Sequence, residues 1–223
     1  MTTIDLDKTS VRSLNSNLQN NKDNSETLIE NPKGKHNLAV GLTTEQKVHI
    51  HGHVGYYCAG MNQKANILIE GNAGPGLAEN MMSGVVKVEG NASQYCGATA
   101  HGGLLVIKND AAARCGVSMK GVDIVVGGSV GHMSAFMGQK GRLVICGDAG
   151  NALGDSIYEA RIYLRGTVES LGTDCIEKEM KQEHKQELRE LLNSAGFDDM
   201  SLDGFRRYGS ARKLYNFDID NAY

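Results

Sequence analysis

The sequence predicts an all-β fold, a right-handed single-stranded parallel β-helix of about seven 19-residue coils with a C-terminal capping helix and tail. Three observations predict it. Glycine or asparagine recurs every 19 residues, at Gly52, Gly71, Gly90, Asn109, Gly128, Gly147 and Gly166, without insertion or deletion. An aliphatic pair in period-2 spacing precedes each of these positions, from Val48 and Ile50 in the first copy to Ile162 and Leu164 in the last. Further columns of the repeat accept only small side chains, such as Ala59, Ala78, Gly97, Gly116, Ala135, Gly154 and Thr173.

Taken in chain order, residues 1–35 are rich in Asn, Ser and Lys and poor in apolar side chains, which predicts a flexible or partner-ordered arm. The segment from Lys35 to Lys47, containing NLAVGL, is expected to cap the open first coil. The β-helix spans 36–175. Each coil opens with its aliphatic strand, and the glycine that follows is expected to need a left-handed backbone, because Asn is its single substitute. Two residues later a small apolar side chain turns inward, from Val54 through Ala73, Ala92, Ala111, Val130 and Ala149 to Val168. The residue directly after the glycine is Asx or a hydroxyl in most copies, including Asn72, Asn91, Asp110, Ser129, Asp148 and Thr167, which suits turns better than a regular metal site. A 19-residue unit cannot bury its own apolar face, so the copies must stack at about 4.8 Å per coil. The hand follows from the general preference of parallel crossovers, and 19 is no multiple of the hexapeptide used by left-handed helices.

After the coils, Asp174 with Glu177 resembles a capping box, and Ile176, Met180, Leu188, Leu191 and Leu192 form an apolar stripe ending near Gly196. This predicts a helix from about 175 to 194 closing the rod, within a C-terminal unit of 176–223. The tail holds Phe197, Phe205, Tyr208, Tyr215, Phe217 and Tyr223 together with Arg206, Arg207, Arg212 and Lys213. Two destinations suit such a tail: docking on another protein, or packing on its own β-helix.

The formal charge of −3 shows no basic excess, so nucleic acid and anionic membranes are not expected partners. No apolar run is long enough to span a bilayer and the N-terminus has no signal-peptide pattern, so a cytoplasmic protein is expected. Five cysteines without a CxxC pair fit reduced thiols. Cys58, Cys96 and Cys115 share a column with Leu77, Ser134 and Leu153, which marks it as interior, with a thiolate metal site as the alternative. His49, His51 and His53 alternate along the first strand, as outward residues of an edge coil, and lack HxxxH or HExxH spacing. The bulkier Glu79–Met82 is expected to project from the rod. Clusters such as Gly71-Asn-Ala-Gly74 recur as turns and open no helix, so they are not read as phosphate loops. No catalytic, cofactor-binding or metal-binding residue is therefore assigned to this chain.

The spacing Gly147-x-x-Gly150-x-x-x-Gly154 resembles the GXGXG family, the β-helix domain ending the large subunit of glutamate synthase. Copies such as Asn109-Asp-Ala-Ala112 and Gly90-Asn-Ala-Ser93 depart from it. The segments HVGYYCAGMNQ, GATAHGGLLVI, ARCGVSMKGVDIVVGG, VGHMSAFMG and FRRYGSARKLYNF are similar to the stand-alone version, the glutamate-synthase-like small subunits of N-methylglutamate synthase (methylamine–glutamate N-methyltransferase). This resemblance implies a scaffold beside two partners: a class II glutamine amidotransferase-like subunit, and an FMN-binding, glutamate-synthase-like subunit that carries FMN and an iron–sulfur cluster. The amidotransferase nucleophile would be an N-terminal cysteine, and Met1-Thr2-Thr3 places that activity in another polypeptide. A subunit of a glutamate synthase-like or formylmethanofuran dehydrogenase complex, and a self-assembling structural β-solenoid filament, are the competing readings.

Overall fold

β-branched and aliphatic pairs at period 2 make short strands whose inner side chains must find apolar neighbours above and below. The computed structural model, which describes residues 1–214, shows this stack. Nine strands run parallel and side by side in chain order: β1 (Thr2–Asp5), β2 (Glu26–Glu30), β3 (Lys47–His51), β4 (Asn66–Ile69), β5 (Val85–Val88), β6 (Leu104–Ile107), β7 (Lys120–Val126), β8 (Lys140–Ile145) and β9 (Arg161–Leu164). From β3 onward the register follows the sequence period: Val48 pairs Ile67, which pairs Val86, and the column continues through Leu105, Ile124 and Leu143 to Ile162. Each of these is buried in one continuous core. The inward column from Val54 to Val168 forms a second line of single parallel bridges, so the predicted inner corner is present in every coil.

The glycine ladder has a different cause from the one expected. Of its members only Gly52 has a left-handed backbone, with φ of 136°; the other five glycines and Asn109 do not. They are small because coils touch there. A Cβ on Gly71 would lie 2.6 Å from the carbonyl carbon of Gly52 and 2.7 Å from its oxygen. The left-handed residues instead occupy three columns further along the coil. These run Tyr57, Gly76, Tyr95, Arg114, Met133 and Ala152; then Ala59, Ala78, Gly97, Gly116, Ala135 and Gly154; then Met61, Asn80, Thr99, Ser118, Met137 and Ser156. Most are not glycine, although such a conformation costs an L-residue about 1–2 kcal/mol. Hydrogen bonding between coils offsets the strain. The Tyr95 and Thr99 N–H groups donate to the following coil, at Ala113 and Val117, while the Gly97 N–H donates to the preceding one, at Leu77. Alternate residues thus bind up and down, and the ridge becomes a hydrogen-bonded wall.

The N-terminal segment is not a flexible arm. β1 and β2 extend the same sheet, and α1 (Val11–Gln19), N-capped by the Ser10 hydroxyl, buries Leu14 and Leu18 against the core. Residues Lys35 to Lys47 are likewise not a cap, since Asn37, Ala39 and Gly41 repeat the three left-handed positions and make another coil. β3 is therefore an interior strand, and its histidines do not sit on an edge.

The C-terminal unit also differs. Cys175–Lys178 is a strand, β10; helix α2 spans Gln182–Ser194, and β11 (Arg206–Ser210) inserts between β9 and β10, antiparallel to both. Asp174 is no helix cap: it accepts from the Ser210 hydroxyl at 2.5 Å and the Lys213 N–H at 3.0 Å. The helix begins where His184 Nδ1 accepts from the Lys181 N–H, and ends at Gly196, whose φ of 76° lets Phe197 N–H reach back to the Leu192 carbonyl. It does not close the rod end. Leu188, Leu191, Leu192 and Ala195 pack on the outer face of the sheet, against Val106, Val125, Val144 and Tyr163.

Candidate interaction faces

The outer face of the sheet is divided. Along the column His49, Leu68, Lys87, Val106, Val125, Val144 and Tyr163, the last four lie under α2 with Phe205, and Phe197 packs against their rim. Tyr208 is buried in the main core. Three of the six tail aromatics therefore pack on the chain's own β-helix; Tyr215, Phe217 and Tyr223 lie outside the described residues. The seam is fixed by charge: Glu187 accepts from the Tyr163 hydroxyl at 2.9 Å and from Arg161 at 2.6 Å, and Arg142 pairs with Asp123. Among the described residues no helix packs on the N-terminal half of this face. That half holds a groove of about 530 Å³ lined by Thr27, Lys47, His49, Leu68, Val85 and Lys87 among others.

Beside that groove the histidines of β3 meet acids from both neighbouring coils. His49 Nε2 lies 2.6 Å from Glu70 Oε1, and His51 stands between Glu70, at 2.8 Å from Nε2, and Glu30, at 3.2 Å from Nδ1. The hydrogen bond to Glu30, then the charges of Glu70 and Glu30, raise the His51 pKa above the usual imidazole range. His53 plays another part, accepting through Nδ1 from the Asn72 N–H. Among the described residues no group of three or more histidine, cysteine, aspartate or glutamate side chains is arranged to hold a metal ion.

His53 begins a polar ladder. The Asn72 side chain accepts from the Asn91 N–H, Asn91 from Asp110, Asp110 from Ser129, Ser129 from Asp148, and Asp148 from Thr167, at 2.7–3.1 Å. These side chains satisfy backbone donors one coil away rather than within their own turn. The Thr167 backbone bond lowers the Asp148 pKa.

Cys58, Cys96 and Cys115 are fully buried, so the interior reading of their column stands. Burial pushes the Cys58 thiol up to about 12, and hydrogen bonding with the Cys96 sulfur, then burial, holds Cys115 well above the usual thiol value. Glu79–Met82 is split, with Met81 in the core and Met82 exposed. Met82 belongs to a second face, along the left-handed ridge, where Tyr56, Met61, Tyr95 and Met137 are also exposed. Tyr56 and Tyr57 stack at 5.6 Å between ring centres, and the Arg114 guanidinium lies 5.8 Å from the Tyr95 ring.

No protein-family model matches the chain. It is 60% identical over 225 residues to Protein GlxC of Rhizobium meliloti (strain 1021), an alignment covering 100% of this chain and 99% of that protein. The chain belongs to the GlxC family. At that identity and coverage, the coils, α1, α2 and the C-terminal strands all lie within the region shared with GlxC. Among the described residues no helix is long and apolar enough to cross a membrane.

Proposed function

We propose that this chain is the non-catalytic scaffold subunit of a multi-subunit N-methylglutamate synthase, which converts glutamate and methylamine to N-methylglutamate and ammonia in the cytoplasm. Its partners in this reading are a class II glutamine amidotransferase-like subunit and an FMN-binding, glutamate-synthase-like subunit that holds the FMN and the iron–sulfur cluster. The glycine spacing and the GXGXG-like segments support the assignment to this enzyme class. The observation that carries the scaffold role is the set of exposed tyrosines and methionines on and beside the ridge, namely Tyr56, Met61, Met82, Tyr95 and Met137, carried by a wall hydrogen-bonded from coil to coil. Aromatic and methionine side chains are enriched where proteins dock. Stacked coils hold such side chains in a rigid frame, as a spacer between active sites requires.

The test is co-expression with candidate amidotransferase and FMN subunits encoded beside it. A stable complex that forms N-methylglutamate, and that is lost when Tyr95 and Met137 are changed to serine, supports the role. A chain that purifies alone while its partners retain full activity sinks it.

A further inference from the structure

One half of the sheet's outer face shows what can cover the other half. His49, Leu68 and Lys87 continue in unbroken register into Val106 and the rest of the column that lies under α2. Under the helix that column is buried; at His49, Leu68 and Lys87 it is half-buried. A second outward column runs beside it, from Lys47 through Val85 and Leu104 to Arg142 and Arg161. Both columns hold α2. Its leucines cover the valines of the first, and Glu187 accepts from the Tyr163 hydroxyl at 2.9 Å and from Arg161, in the second, at 2.6 Å.

The seat does not stop where α2 does. The helix crosses the strands from β9 to β6, where Lys108 Nζ donates to the Gly196 carbonyl at 3.1 Å. Its last turns border a cavity of about 400 Å³ that reaches Gly84, just before β5. From there the groove of about 530 Å³ carries the same two columns back to β2, with Leu68 and Val85 in its apolar lining. Lys47 holds the place in the second column that Arg142 and Arg161 hold beside α2. Its bond to Glu26, at 2.9 Å, joins two side chains that are 72% and 45% exposed, and exposed pairs of this kind contribute little to stability. A partner carboxylate can therefore take the place of Glu26.

We infer that this groove seats an amphipathic helix of another polypeptide, with a leucine stripe for Leu68 and Val85 and an acidic edge for Lys47, laid along the sheet ahead of α2. Continuity with the α2 contact selects that occupant. Leu188, Leu191 and Leu192 with Glu187 beside them are the pattern this face already binds, and the free half offers the next helix the same columns. An apolar sheet face is stable when a second layer covers it. This docking face does not depend on the ridge, and the two readings fail separately.

The test uses the full chain and a fluorescein-labelled peptide with the sequence Lys181–Gly196, which reproduces α2, followed by fluorescence anisotropy. Saturable binding is expected. Leu68→Asp should weaken it by about tenfold or more, because it presses an unpaired carboxylate on the leucine stripe. Lys47→Glu should weaken it as much by repelling the acidic edge, and decides the matter if Leu68→Asp misfolds. Lys120→Glu, the same reversal on β7 outside the groove, should leave binding intact. A peptide that never saturates overturns the proposal. So does wild-type affinity in Lys47→Glu or in a folded Leu68→Asp, which would mean that the peptide displaces α2 from its own seat. Sedimentation of the unliganded chain supplies the last arm: a dimer that Leu68→Asp dissociates would assign the groove to a second copy of the chain and overturn the partner helix, whereas a monomer supports it.

Discussion

Replacing Gly71 tests why glycine recurs in this repeat. A methyl at that position would sit 2.6 Å from the Gly52 carbonyl carbon and 2.7 Å from both the Gly52 oxygen and the His53 nitrogen. All three are backbone atoms and cannot swing away, so the overlap, about 1 Å inside the usual carbon contact distance, must be relieved by parting two coils. The bonds that would stretch are those flanking the contact, Glu70 N–H to Ile50 at 3.0 Å and Gly74 N–H to Val54 at 2.9 Å. At the native Asn109 the N–H reaches Gly90 at 3.3 Å, and the next three bonds in that column measure 2.8–3.0 Å. Overpacking of this kind typically costs about 1–3 kcal/mol, and Gly71→Ala should fall near 2. For a chain of this size that lowers the thermal midpoint by about 4–8 °C, read by circular dichroism.

The decisive comparison is Gly71→Asn. A left-handed requirement would tolerate asparagine and penalise alanine; close stacking penalises both, because both carry a Cβ. If Gly71→Asn melts with the wild type while Gly71→Ala falls, stacking is refuted as the cause. If neither moves, the coils are slack at this contact.

Three further outcomes follow from the geometry. Leu192→Ala, emptying a fully buried position on the sheet-facing side of α2, should cost about 2–5 kcal/mol, and a loss under about 1 would mean that the helix is not seated on the sheet. Cys58, Cys96 and Cys115 should resist a thiol reagent at pH 8 until denaturant is added, as the burial of all three and the raised pKa values of Cys58 and Cys115 require, and prompt labelling of these three in the native protein would contradict an interior column. The His51 pKa, followed by NMR, should lie above 6.5 and fall in Glu30→Gln. Because the folded-state value is raised, its contribution to stability is fully present below the unfolded pKa and is lost as pH rises through the folded one. A His51 value at or below that of an unfolded peptide would dismiss the Glu30–His51–Glu70 contact.

The coils between His49 and Thr167 were legible because nothing is inserted in them. Val48, Ile50 and Val54 recur at fixed distance, so burial in one copy implies burial in all. The N-terminal coils escaped for the opposite reason. β2 meets β3 at Thr27 and Val48, an offset of 21 residues, and β1 meets β2 at Thr2 and Thr27, an offset of 25 that accommodates α1. A search at 19 cannot find them, and their polar composition hides that Leu6, Leu14, Leu18 and Ile29 are the residues that pack. The left-handed ridge was missed because sequence intuition assigns positive φ to glycine, whereas Tyr57, Arg114 and Met133 adopt it while donating their N–H groups to carbonyls of the next coil.

The faces were less legible than the coils, yet one signal was present. In the outward column His49, Leu68 and Lys87 give way to Val106, Val125, Val144 and Tyr163, and a sheet exposes four consecutive apolar residues only where something covers them. The amphipathic stripe of Leu188, Leu191 and Leu192 was the matching half, so the two patterns together would have laid the helix along the sheet rather than across its end. The polar ladder from His53 to Thr167 left a weaker trace, because an Asx or hydroxyl side chain suits a local turn and an inter-coil acceptor equally. Only the stacking separates them: once Asn91 lies one coil from Asn72 with its N–H 2.8 Å from the Asn72 oxygen, a turn residue becomes a strut. From His53 to Thr167 such struts, with the glycine contacts beside them and the left-handed wall, tie each coil to the next. A rod tied in this way holds its exposed tyrosines and methionines in a rigid frame, and that is the property on which a scaffold role depends.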